Sequence, residues 1–206
     1  NGIIKKTALS MYSRPRKGGI YAIEIRDNDE LIQAKVSHGC QDIILATFSG
    51  KSIRFNENDV RGTGRKTMGV RGIRLGIKDD YVIGMLIVKR EGSVMVVTNK
   101  GYGKRSDLSE YRTQKRGGKG VITIKTTKKV GNLIGIMEAI DEDDIMLITD
   151  RGIMIRQPVS NIRTIGRNTQ GVRLAKLDDK TYIASATRVL KEDEDNEEEE
   201  APEPEE

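Results

Sequence analysis

The chain has 206 residues and a formal net charge of +5, from 36 Lys and Arg against 31 Asp and Glu. Eleven of the acidic residues fall within positions 192–206, which hold no basic one, so positions 1–191 carry 36 basic against 20 acidic residues, a net of +16. No apolar run is long enough for a bilayer-spanning helix and no signal-peptide pattern opens the chain, while a lone Cys40 and a lone His38 exclude an internal disulfide and a zinc ligand set. The sequence therefore reads as a soluble domain of ordinary size, and the missing initiator Met fits a piece of a longer chain. A basic body with no metal or disulfide points first to nucleic acid.

Taken in chain order, the elements repeat. A similar phrase begins at Gly2 (NGIIKKTAL), Gly50 (SGKSIRFNE), Gly101 (KGYGKRSDL) and Gly152 (RGIMIRQPV), at intervals of 48, 51 and 51 residues. Four positions after each glycine stands a basic residue: Lys6, Arg54, Arg105 and Arg156. Each phrase leads into an Arg- and Gly-rich stretch: RPRKGGI (14–20), RGTGRKTMGV (61–70), RTQKRGGKGV (112–121) and RTIGRNTQGV (163–172). β-Branched segments follow, such as IYAIEI, VITIK and VRLAKL. The apolar pairs ELIQAKV with DIILATF, YVIGMLIV with SVMVVT, and NLIGIMEAI with DIMLIT then close the units.

Short Ile- and Val-rich runs bounded by Asp, Asn and Gly predict strands, and no segment sustains a helical period over three turns. Roughly four strands per period of about 50 residues is the signature of a radially repeated β architecture. The expected fold is all-β, with blade-like repeats at about 1–49, 50–100, 101–151 and 152–191. The first unit lacks the strand that precedes Gly50, Gly101 and Gly152, and the fourth lacks a closing one, so the array reads as part of a larger ring. Residues 192–206 form an acidic, Pro-containing segment too polar to build a core and expected to be disordered. They either solubilise the chain or compete with phosphates for its basic body.

The most distinctive stretch is Gln114-Lys115-Arg116-Gly117-Gly118-Lys119-Gly120, where cations alternate with glycines that expose backbone N–H groups to a phosphate. Its counterparts offer Arg14, Arg16 and Lys17, then Arg61, Arg65 and Lys66, with Arg112 at the head of the third stretch, and Arg163 and Arg167 in the fourth. Arranged radially, such loops fall along one rim, and a duplex touching several must bend. With two Phe, six Tyr and no Trp, stacking platforms for single strands are scarce, and no recognition helix is visible. Backbone contact with double-stranded DNA and shape dependence are expected, with no base code.

Catalytic readings are weaker. Gly62 to Thr67 lacks the Gly-Lys step of a nucleotide-binding loop, and Gly118-Lys119-Gly120 lacks the hydroxyl after the lysine. His38 and Cys40 have no orienting partner, and Asp141, Glu142, Asp143 and Asp144 read as a solvated turn. The tyrosines fall within the repeat pattern, where packing is the default.

The box QKRGGKG, the phrases NKGYGKR (99–105), MGVRGIRLG (68–76) and IGRNTQGVRL (165–174), the repeat length and the acidic tail together resemble the C-terminal domain of the DNA gyrase A protein. The resemblance covers residues 1–191 and implies a β-pinwheel, propeller-like but with strands exchanged between neighbouring blades, of which this chain is similar to the last four of six. It implies wrapping of double-stranded DNA around a basic rim in support of ATP-dependent negative supercoiling. It places the chain in the bacterial cytoplasm with the nucleoid, in a heterotetramer with the remainder of gyrase A and with gyrase B. Cofactors are expected to be none in this chain, with ATP and magnesium used elsewhere in the holoenzyme, and the breakage tyrosine is absent. The family's defining box belongs to its first blade, whereas the box here falls in what corresponds to the fifth, and Lys115 stands in place of an arginine. Two alternatives are the corresponding C-terminal domain of topoisomerase IV and a propeller-like scaffold whose basic loops bind an acidic protein.

Overall fold

The computed structural model describes residues 1–189; the acidic segment 192–206 lies outside the described residues. The strands are, in chain order, β1 (Ile3–Ile4), β2 (Asp42–Thr47), β3 (Lys51–Asn56), β4 (Val70–Arg71), β5 (Val82–Ile87), β6 (Ser93–Thr98), β7 (Tyr102–Asp107), β8 (Val121–Ile122), β9 (Leu133–Ala139), β10 (Asp144–Thr149), β11 (Met154–Pro158), β12 (Val172–Arg173) and β13 (Ile183–Val189). The only helical pieces among the described residues are short 3-10 turns, at Leu9–Tyr12, Glu57–Asp59, Leu108–Glu110 and Val159–Asn161. The fold is all-β, as expected.

The repeated glycines after Gly2 each close a hairpin. Gly50, Gly101 and Gly152 have φ of +83°, +74° and +79°, and their N–H groups bond to the carbonyls of Thr47, Thr98 and Thr149 at 2.9, 3.1 and 3.0 Å. A left-handed residue at the end of such a turn favours glycine, which explains why the phrase recurs on that residue.

The hairpins β2–β3, β6–β7 and β10–β11 are the centres of three antiparallel sheets, ordered β5-β2-β3-β8, β9-β6-β7-β12 and β13-β10-β11. In the first two, the outer strand comes from the following repeat: β8 pairs with β3 through Ser52 and Val121, and β12 with β7 through Gly103 and Val172. A two-stranded sheet, β1 with β4, repeats the exchange through Ile4 and Val70. Successive blades are thus tied by hydrogen bonds as well as by packing.

Central strands bury both faces, so they read as unbroken apolar runs. In β2, Ile43 and Leu45 join a core cluster with Ile4, Ile53, Phe55 and Ile73, while Ile44 and Ala46 join the next one with Val94, Val96 and Leu133. Met95 and Val97 face a third cluster with Ile145, Leu147 and Ile183. Fully burying each such side chain stabilises the fold by about 1.5–3 kcal/mol. On the side away from the exchanged strands, β5 packs on β9 and β9 on β13. The fit is close, because a Cβ on Gly84 would lie 3.4 Å from Ile136 Cγ2 and one on Gly135 3.4 Å from Ala186 Cβ.

Strands expected at IYAIEI and ELIQAKV are not formed. In later units the equivalent segments pair with the first strand of a hairpin or with the second strand of the preceding unit, and neither is present among the described residues. Leu31, Ile32 and Val36 are correspondingly exposed, although Gln33 Oε1 still accepts the Met85 N–H at 2.7 Å. VITIK and VRLAKL shorten to the two-residue strands β8 and β12.

The acidic run is the expected solvated turn at Asp141 and Glu142, which are exposed, but not at its other two residues. Asp143 and Asp144 are buried, with Asp143 paired to Arg90 at 2.7 Å and Asp144 to Arg156 at 2.7 Å. Burial pushes the Asp143 carboxyl up, but Arg90 and the Ile140 N–H outweigh it and hold the group below the usual range. Cys40 and His38 are both exposed before β2. No group of three metal-ligating side chains forms among the described residues, and none of the described helices is long and apolar enough to cross a membrane.

Candidate nucleic-acid interface

Three boxes precede β4, β8 and β12. Each begins with a parallel bridge to the repeated cation of the preceding unit: Lys6 with Gly62, Arg54 with Thr113, Arg105 with Thr164. The N–H groups of Thr63, Gln114 and Ile165 donate to the carbonyls of Lys6, Arg54 and Arg105 at 2.9, 2.8 and 2.9 Å. Each box then ends in a glycine of positive φ, Gly69, Gly120 or Gly171. A Cβ at Gly120 would collide with the Ser52 carbonyl across the sheet, so the close approach of β8 to β3 requires glycine there.

In the first three units the repeated cation itself turns inward, while Arg156 stays exposed. Arg54 Nη1 donates to the carbonyls of Leu108 and Tyr111 at 3.0 and 3.2 Å while its Nε donates to Asp42. Arg105 Nε donates to the Ile162 carbonyl at 2.6 Å and its Nη1 pairs with Asp141. Lys6 Nζ reaches the Glu57 carbonyl at 2.8 Å. These side chains join one blade to the 3-10 turn of the next.

Beneath the boxes the floor alternates. Lys5 Nζ donates to the carbonyls of Ala22 and Arg65 at 2.6 and 2.9 Å. The fully buried Lys104 fills the same position under the last box, donating to the carbonyls of Gly166 and Arg167 and to Thr169 Oγ1. Burial pulls the Lys104 ammonium down to about 8, with Arg167 adding to the effect and Glu110 opposing it. Under the middle box Ile53 takes this place, and a Cβ on Gly118 would lie 3.3 Å from Ile53 Cδ1.

Adjacent boxes are connected in series. The Arg74 N–H donates to the Gly118 carbonyl at 2.8 Å and the Lys125 N–H to the Thr169 carbonyl at 2.9 Å. The Gly117 N–H reaches the Gly72 carbonyl at 2.6 Å. Consecutive boxes are therefore joined by backbone hydrogen bonds that hold them in a fixed order.

Of the cations expected on this surface, Arg14, Arg16, Lys17, Arg61, Lys66, Arg112, Lys115, Lys119 and Arg163 are exposed. Among the described residues, none of them forms an ion pair. Lys66 lies over the Tyr21 ring at 5.9 Å from its centroid. Arg65, Arg116 and Arg167 are half-buried, as are Gln114, Gly117, Gly118 and Gly120. Arg116 and Arg167 spend two guanidinium nitrogens each on backbone carbonyls of the preceding unit. The side-chain nitrogen of Gln114 is buried without a partner among the described residues.

A second row of exposed cations was not singled out by the boxes. Arg74, Lys125 and Lys176 stand at intervals of 51 residues, just past the box strands. Aligning the repeats column by column beyond the closing glycine exposes them. Arg71 and Arg173 are also exposed there, Arg173 lying over Tyr102 at 5.7 Å from the ring centroid.

The sequence matches a family model described as DNA gyrase C-terminal domain, beta-propeller, over residues 1–38, 41–89, 92–138 and 143–189. It is 40% identical over 222 residues to the DNA gyrase A protein of Haemophilus influenzae, covering 95% of this chain and 25% of that protein. To the DNA gyrase A protein of Escherichia coli it is 42% identical over 189 residues, covering 92% and 22%. The chain thus spans about a quarter of the length of these relatives. Among solved structures, the C-terminal domain of DNA topoisomerase IV aligns with a TM-score of 0.86 at 26% identity, covering 92% of this chain and 59% of that one. A DNA gyrase A C-terminal domain aligns with a TM-score of 0.77 at 28% identity, covering 84% and 59%. With four matched segments that follow the repeats from end to end, the chain belongs to the DNA gyrase C-terminal domain family.

Proposed function

We propose that this chain binds double-stranded DNA along its rim and wraps it, as the C-terminal part of a gyrase A protein. In that setting it supports negative supercoiling by a holoenzyme in which gyrase B supplies ATP hydrolysis, and the chain uses no cofactor of its own. The observation that carries the reading is the series of hydrogen-bonded boxes presenting exposed cations at repeated positions. Duplex DNA carries one charge per roughly 1.7 Å of axis, so such a ridge displaces many counterions on binding. Bending a 20–30 base-pair site costs on the order of 1–6 kcal/mol, which contacts distributed over successive loops can offset.

The test is binding of duplexes of arbitrary sequence across a salt series, together with end-to-end energy transfer as a measure of bending. A steep fall of affinity with salt and increased transfer are expected. Weak, salt-insensitive binding would favour a protein-interaction scaffold instead. The topoisomerase IV alignment supports a second reading, in which the same fold serves that enzyme. Ligation of nicked circles with bound protein separates the two: chiral wrapping leaves a linking difference, and simple binding leaves none.

A further inference from the structure

We propose that Arg116, and Arg167 at the equivalent place one repeat later, are positioning residues that set the angle between neighbouring boxes, and that phosphate contact at the boxes belongs to other cations. The inference rests on the DNA-wrapping reading and assigns separate roles within the same loop.

The geometry repeats at both joints. Arg116 Nε donates to the Asp59 carbonyl at 2.7 Å and its Nη1 to the Arg71 carbonyl at 3.1 Å. Arg167 Nε donates to the Glu110 carbonyl at 3.1 Å and its Nη1 to the Ile122 carbonyl at 2.9 Å. In each case one acceptor ends a 3-10 turn, the other ends a box strand, and both lie in the preceding unit, 57 and 45 residues back. The same turns are held from the opposite side, since Lys6 donates to the Glu57 carbonyl and Arg54 to the Leu108 carbonyl. Both turns are therefore gripped by the blade before them and the box after them.

A guanidinium suits this task because its nitrogens form a rigid planar fork that spans two acceptors, whereas an ammonium is a single point of donation. Lys115 and Lys119, on either side of the fork, are exposed and make no ion pair among the described residues. One loop thus holds a clamp that faces the protein and cations that face solvent. Loosening the clamp changes how consecutive loops are presented to a duplex without removing a phosphate ligand.

The experiment compares Arg116→Lys, which keeps the charge and loses the fork, with the pair Lys115→Ala and Lys119→Ala, which does the opposite. For the 206-residue chain on one labelled duplex, the slope of log affinity against log salt counts displaced counterions, at about 0.9 per phosphate, and energy transfer reads the bend. Arg116→Lys is expected to keep the parental slope and lower the transfer, while the double alanine variant is expected to lower the slope by about 1–2. Arg167→Lys repeats the test at the next joint should Arg116→Lys fold poorly. Parental transfer in both lysine variants overturns the proposal, as does an Arg116→Ala slope reduced by about 0.9 that Arg116→Lys restores. Amide exchange at Gly117 provides a readout without DNA: faster exchange in Arg116→Lys supports the clamp, and unchanged exchange overturns it. If the parent itself shows no salt-dependent binding, the DNA reading fails, and the exchange result still decides the clamp.

Discussion

The boxes 112–121 and 163–172 follow the same backbone path, reaching Ser52 through Val121 and Gly103 through Val172, but they rest on different floors. The last box sits on the ammonium of Lys104, which satisfies the carbonyls of Gly166 and Arg167 and the hydroxyl of Thr169. The middle box sits on Ile53, with Gly118 where the last box has Thr169, and carries its lysines outward at 115 and 119, where the last box has Gly166 and Gln170. One loop neutralises its own carbonyls with a buried cation; the other leaves its floor apolar and spends its cations on solvent. The backbone of a repeat can thus be kept while the charge moves from beneath the loop to its surface. Where it lies decides how strongly that loop attracts a polyanion.

The largest effect should come from the shared element of both boxes. Gly120→Val places a β-branched side chain at φ +69° against the Ser52 carbonyl, and is expected to destabilise the chain by about 3 kcal/mol or more, read from the urea midpoint. Gly118→Ala, which meets only the end of Ile53 at less than van der Waals ease, should cost less than about 1 kcal/mol. Equal losses would show that the strand exchange does not depend on close approach at Gly120.

Exchanging the floors is the next test. Ile53→Lys buries an ammonium where the loop lacks the Thr169 counterpart, and should cost about 2–3 kcal/mol. Adding Gly118→Thr should recover about 1 kcal/mol through the new hydroxyl acceptor. A double variant no more stable than the single would mean that the two floors are not interchangeable solutions.

At the surface, Lys115→Ala with Lys119→Ala should reduce the salt slope of DNA binding by about 1–2, and change stability by less than about 0.5 kcal/mol. Gln170→Ala in the last box should leave that slope unchanged. Equal slopes for all three proteins would abolish the contrast between the boxes.

The buried floor of the last box can also be tested with pH. Burial lowers the Lys104 ammonium from 10.5 to about 8, so between these values the unfolded chain holds a proton that the folded chain has released. Stability therefore gains from this group as pH rises through that window, and gains nothing below it. Relative to Lys104→Met, the parent should become more stable between about pH 7.5 and pH 10, as measured by paired denaturation curves. Parallel pH profiles would show that the ammonium is not perturbed by its burial.

The central strands were legible because burial on both faces leaves its mark on every residue: DIILAT, SVMVVT and DIMLIT are largely unbroken apolar runs. The hairpins were legible through the glycines at 50, 101 and 152, whose turn conformation few other residues adopt. Residues 20–36 misled the same reasoning, since an apolar run becomes a strand only when a partner supplies its hydrogen bonds. Asp143 and Asp144 misled it too, although the neighbouring Asp141 and Glu142 are exposed as read, because adjacent carboxylates look solvated until Arg90 and Arg156 are brought to them from elsewhere in the chain.

The candidate surface divides in the same way. Lys115 and Lys119 are exposed cations in a glycine-rich loop, which their local context already implies. Arg116 lies between them in sequence and carries the same charge, yet its guanidinium turns to Asp59 and Arg71. By itself, the sequence determined the period, the strand type and the surplus of positive charge, because local turn chemistry and burial on both strand faces are written in adjacent residues. Only the tertiary structure decided that each box strand joins the preceding blade and which cations face solvent, because those outcomes depend on hydrogen-bond acceptors 45 to 70 residues away.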